Sequence, residues 1–134
     1  MEVFLKPAAT NAYAELYATP SGNKTSLIFP SRAFSGSVLQ ETQKILDGLK
    51  VYSHVDGTLN NPKDTDKGWT TVMVIPRKAL AEAVNSNFDG KTEWTMLLAG
   101  YCYSQNQIYG SNFSYPLLPK LSYHLTEYLS LIHI

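Results

Sequence analysis

The chain has 134 residues, the length of one domain; 44% are hydrophobic, 16% are charged, and eleven basic residues balance eleven acidic ones. That balance excludes the basic footprint that displaces counterions from nucleic acid and the polybasic segment that an anionic membrane surface attracts. No apolar run is long enough to cross a bilayer, Glu2 follows Met1 where a charged-then-apolar leader would begin, and a lone cysteine excludes an internal disulfide.

Glu2-Val3-Phe4-Leu5 reads as a short strand stopped by Lys6-Pro7. Residues 12–18 alternate, with Tyr13, Glu15 and Tyr17 on one face and Ala12, Ala14, Leu16 and Ala18 on the other. A period of two predicts a half-buried strand. Thr19-Pro20-Ser21-Gly22-Asn23 is a turn, and residues 25–29 form a third strand ended by Pro30. Residues 38–46 read equally as a helix, with Val38, Leu39, Ile45 and Leu46 near one face, and as irregular chain. Residues 49–55 are a strand with Val51, Ser53 and Val55 opposite Tyr52 and His54.

Residues 69–75 are apolar on both faces, which predicts a central strand covered on both sides. Pro76 ends it, because proline cannot donate to a ladder. Residues 77–84 then read as a short helix, and Asn85-Ser86-Asn87 with Asp89-Gly90 return the chain to a strand at 93–103. Cys102 stands in the apolar run of that strand and is expected to be a small buried hydrophobe. Residues 104–128 are polar and aromatic, with Pro116 and Pro119 forbidding a long element. Several short strands separated by Gly, Pro and Asn turns predict an all-β fold, an antiparallel sandwich of immunoglobulin-like or jelly-roll type, with one short helix after Pro76.

The most specific feature is the turn between the strands at 49–55 and 69–75. Asp56-Gly57-Thr58 opens it, Asn60-Asn61-Pro62 carries it, and Asp64-Thr65-Asp66-Lys67-Gly68-Trp69 leads into the next strand and Ile75-Pro76. This run resembles the family 9 carbohydrate-binding modules and the wider family-9-like domains, in which a "VDGTLN-P-DTD-GW" turn and a "V-IP" strand recur. The resemblance implies non-catalytic carbohydrate binding by a module of a larger secreted protein engaged in polysaccharide catabolism, often beside a glycoside hydrolase. The implied partners are a polysaccharide or oligosaccharide and neighbouring domains of the parent chain; the implied location is extracellular or periplasmic.

Such modules begin with a "DG-LDD-AW" region and a "YLYV" strand. Met1-Glu2-Val3-Phe4-Leu5 matches the end of the motif that follows these, so residues 1–128 are expected to be a partial module. Leu129-Ser130-Leu131-Ile132-His133-Ile134 matches one reading frame of a transposon end used to prepare sequencing libraries. Residues 129–134 are therefore expected to be a non-native tail. A sandwich lacking its first strands would expose edges and a core face, so aggregation of the isolated chain is expected.

The resemblance assigns Glu2 to the sugar site, where a carboxylate accepts hydrogen bonds from a vicinal diol. Aromatic rings that pack on the C–H face of a pyranose complete such sites. The family's tryptophan before the last strand is absent here, and Phe113 and Tyr115 in Asn112-Phe113-Ser114-Tyr115-Pro116 are the nearest substitutes. Two other positions depart from the family pattern: Val72 stands where a glutamate is common, and Arg77 replaces the tryptophan of "IPW". Trp69 and Trp94 read as packing residues.

Asp56, Asp64 and Asp66, with Thr58 and Asn60, leave two readings open. They offer oxygens to a calcium ion, or they bond to backbone amides and hold a long turn. His54, His124 and His133 form no metal pattern, and His54 is expected to be half-buried beside tyrosines. No nucleophile elbow, phosphate loop or pair of carboxylates spaced for glycoside hydrolysis occurs, so no enzyme activity is expected. Two other functions compete with sugar binding. One is a structural or adhesion sandwich that has lost it; the other is a DOMON-type electron-transfer domain with Met73 or Met96 as haem ligand.

Overall fold

The computed structural model describes residues 1–31, 39–61, 63–102, 111–118 and 130–132. Pro62, Tyr103, Pro119, His124 and His133 lie outside these residues, as do Val38 and most of the 104–128 tail. In chain order the elements are β1 (Glu2–Pro7), β2 (Tyr13–Ala18), β3 (Lys24–Phe29), α1 (Leu39–Gly48), β4 (Lys50–Asp56), β5 (Gly68–Val74), α2 (Arg77–Ala83), β6 (Trp94–Cys102), β7 (Ser111–Tyr115) and β8 (Ser130–Ile132). Every pairing is antiparallel. Among the described residues the fold is an all-β, sandwich-like arrangement with two short helices, one after Pro76 as expected and one in the 38–46 segment.

The main sheet runs β3-β2-β1-β6-β7, and β8 pairs with the first residues of β6. The second layer is a two-stranded sheet of β4 and β5 together with the helices. Between the layers lies the larger core, in which Val3, Leu5, Ala14, Leu16, Ile28 and Trp94 of the sheet meet Ile45, Leu80 and Val84. Met73, Ile75 and Met96 pack against its margin. A smaller cluster of Phe4, Tyr13, Leu97 and Ala99 occupies the opposite face, flanked by Phe29 and Leu118. The Tyr13 and Phe29 rings stack at 4.9 Å.

The sheet centre differs from expectation. β2 is buried on both faces rather than half-buried, because β1 and β3 flank it and apolar clusters lie on each side. β5 is not a central, doubly covered strand. It belongs to a two-stranded hairpin in which Val51, Ser53, Val55, Trp69, Thr71 and Met73 are half-buried and Val72 and Val74 face solvent. His54 is exposed on that outer face, not half-buried. Cys102 is also exposed, since cover on β6 ends at Gly100.

The segment at 38–46 is helical over its described part. α1 seats Ile45 in the core, and Leu49 follows it there. Ser26 Oγ donates to the Thr42 carbonyl at 2.8 Å. Lys24 Nζ reaches the end of the helix and donates to the carbonyls of Leu46, at 2.9 Å, and Leu49. A cation there offsets the partial negative charge of the free carbonyls.

α2 begins after Pro76, whose ring cannot continue a strand ladder, and buries Leu80, Ala81 and Ala83. It ends in a Schellman motif. Asn85 takes φ 53°, its N–H bonds to Glu82 O, and the Ser86 N–H bonds to Ala81 O at 2.8 Å. The chain then places Phe88 on Trp94, ring centroids 4.1 Å apart, and Trp94 Nε1 donates to Asn87 O. Burying the indole is favourable because its one donor is satisfied.

Candidate functional site

Alternation along β1 and β2 sends a second set of side chains to the face away from the helices. Glu2 stands opposite Tyr17 on one side and Ala99 on the other, and Phe4 lies between Glu15 and Leu97. The row continues across the sheet from Ala99 to Ser114, and the next row pairs Tyr101 with Asn112. Two carboxyl groups, two tyrosines and an asparagine amide thus share one end of one sheet face, above the floor formed by Phe4, Tyr13 and Leu97.

Both carboxyl groups are buried: Glu2 is 8% exposed and Glu15 only 2%. The Tyr17 hydroxyl donates to Glu15 Oε1. Burial penalises the charged form, so the Glu15 carboxyl is held above its ordinary range despite that hydrogen bond. Burial likewise raises the Tyr17 hydroxyl, and the negative charges of Glu15 and Glu2 raise it further. Tyr13, buried near Glu15, is pushed up to about 12. The terminal ammonium of Met1 is lowered by burial, with Glu2 acting in the opposite sense.

Tyr13 and Tyr17 therefore keep their protons at neutral pH, and Glu15 holds its proton more readily than an exposed glutamate. Glu15 is sealed in and bonded to Tyr17, so the groups nearest the rim are the Glu2 carboxyl and the ring of Tyr101, which is 43% exposed.

The residues expected at a sugar site do not all meet. Glu2 lies on this face, but Phe113 pairs with Gly100 and Tyr115 with Leu98, so both side chains project from the opposite face. The Phe113 ring sits directly on Gly100, where a Cβ would collide with it. Tyr115 is 71% exposed. Phe113 and Tyr115 therefore form no clamp with Glu2. Met73 and Met96 pack against the main core.

The aspartates of the β4–β5 loop are all exposed. Asp66 Oδ1 accepts the Thr58 N–H at 2.8 Å, and a Cβ on Gly57 would land on that carboxylate. Asn61 Oδ1 accepts the Lys63 N–H, and the Lys67 N–H bonds to Asp56 O. Asp66 thus holds one backbone amide of the turn, and among the described residues no such bond is shown for the Asp56 or Asp64 side chains. Among the described residues, no three or more His, Cys, Asp or Glu side chains are grouped to hold a metal ion. Nor is any helix among them long and apolar enough to cross a membrane.

Glu15, Tyr17 and Tyr101 were not singled out from the sequence. The signal for the first two was present, because the alternation at 12–18 placed Tyr13, Glu15 and Tyr17 on one face. What was missing was the neighbour: only the register of β1 against β2 and β6 brings Glu2 and Tyr101 beside them. Comparison with family models, with characterised proteins and with solved structures finds no match for this chain.

Proposed function

We propose that this chain is a non-catalytic carbohydrate-binding domain that uses the face bearing Glu2, Glu15, Tyr17 and Tyr101, and that it serves as a module of a larger secreted protein acting on polysaccharides. The observation that supports this reading most is the burial of Glu2 beside Tyr17 on a face that also holds Glu15 and Tyr101. A fixed carboxylate accepts from two adjacent sugar hydroxyls, and a tyrosine ring covers the C–H face of a pyranose. The function would be tethering: holding an attached enzyme near a polymer raises the local concentration of its substrate.

Titration calorimetry with soluble oligosaccharides tests the proposal. Binding is expected to weaken by roughly tenfold or more in Glu2→Gln, the loss of a charge-assisted hydrogen bond, and also to fall in Tyr101→Ala. A folded protein that binds none of a broad glycan panel would overturn it. The projection of Phe113 and Tyr115 from the opposite face favours a second reading, a structural or adhesion sandwich without sugar affinity. The same titration separates the two.

A further inference from the structure

We propose that β4 pairs edge to edge with β4 of a second copy of this chain, about a two-fold axis through Ser53, to give a continuous four-stranded antiparallel sheet β5-β4-β4-β5. The strand Lys50-Val51-Tyr52-Ser53-His54-Val55-Asp56 is complementary to itself when reversed. Lys50 then meets Asp56 of the second copy, Val51 meets Val55, Tyr52 meets His54, and Ser53 meets itself. Each of these pairs shares a face. Lys50, Tyr52, His54 and Asp56 are exposed, whereas Val51, Ser53 and Val55 are half-buried toward the core. A two-fold operation therefore matches opposite charges, aromatic rings and valines together, and it closes after two copies.

The edge is open to such pairing. Among the described residues β4 has β5 as its one strand partner, over seven successive pairs without a bulge. It carries no proline, no bulge and no inward-facing charge, and its edge charges stand only at its two ends, Lys50 and Asp56. A two-stranded sheet is marginal alone, and each added strand satisfies backbone groups and joins apolar surface. The outer face shows that surface: Tyr52 is 60% exposed, Val72 54% and Val74 49%. The charges select the occupant. Parallel pairing of two β4 strands would set Lys50 beside Lys50, and the β5 edge, from Gly68 to Val74, has no charge to fix a register.

Charge reversal and mixing test the proposal by sedimentation velocity on the intact chain. The wild-type chain is expected to dimerise as its concentration rises. Lys50→Glu and Asp56→Lys each place like charges opposite each other twice per dimer, which should weaken self-association roughly tenfold in either variant. An equimolar mixture of the two variants pairs each new charge with its opposite in both positions, so dimers should reappear as mixed dimers. That recovery requires both variants to be folded. Three results would overturn the proposal: a wild-type chain that stays monomeric at its highest soluble concentration, variants that associate as well as wild type, or a mixture that remains monomeric. Growth beyond the dimer would also overturn it, because the two-fold arrangement closes.

Discussion

β2 and β5 contradict their own compositions. β2 carries a glutamate and two tyrosines, yet it is buried on both faces at the centre of the sheet. β5 is richer in valine and methionine, yet its outer face is open to solvent. Place in the sheet decides cover. β2 has β1 and β3 beside it and an apolar cluster on each side, whereas among the described residues β5 has one strand partner and one covered face. Hydrophobicity sets which surfaces gain from burial, and topology sets which of them obtain it.

The two tryptophans give the largest test of this contrast. Trp94 is wholly buried under Phe88, and Trp94→Ala should cost about 3–5 kcal/mol in denaturant unfolding. Trp69 on the hairpin is half-buried, so Trp69→Ala should cost roughly half as much, about 2 kcal/mol. Equal losses would mean that the hairpin is as well covered as the main sheet.

Glu15 sharpens the same contrast through pH. Its folded carboxyl is raised above the ordinary value of 4.5, so the native state holds its proton more tightly than the unfolded chain does. The stability this supplies is complete below pH 4.5 and is lost as pH rises through the raised value. Glu15→Gln removes that loss. The melting temperature of wild type relative to the variant should therefore fall between pH 4 and 8; parallel curves would remove Glu15 from the buried face. In the loop, Asp66→Ala should cost about 1 kcal/mol, one hydrogen bond to the Thr58 amide, with no change at the sheet centre. Val72→Thr, on the open face of the hairpin, should fall within about 0.5 kcal/mol of wild type.

Periodicity made β1 to β4 and α2 legible, because each is a short run bounded by Pro, Gly or Asn. It left the 38–46 segment open. The anchor of α1 is Ile45, and its cover comes from β3 and α2, elements remote in sequence. Glu2 stood out in the sequence only through resemblance; its burial depends on β2 and β6, which flank it. Phe113 and Tyr115 were chosen for chemistry and position in the chain. Their face depends on the register of β7 against β6, which no local pattern encodes. Cys102 misled because its apolar neighbours continue past the point where the sheet loses its cover.

Lys24 joins three elements with one amine. Rooted in β3, it holds the carbonyls at the close of α1 and at Leu49, the residue that launches β4. This ammonium is the pin at the seam between the two layers. Acylating it would remove its charge and two of its three donors, and would free the helix end from the sheet. An amine-reactive label should therefore modify Lys24 more slowly than the exposed Lys78, and the ratio of the two rates reports how often the seam opens.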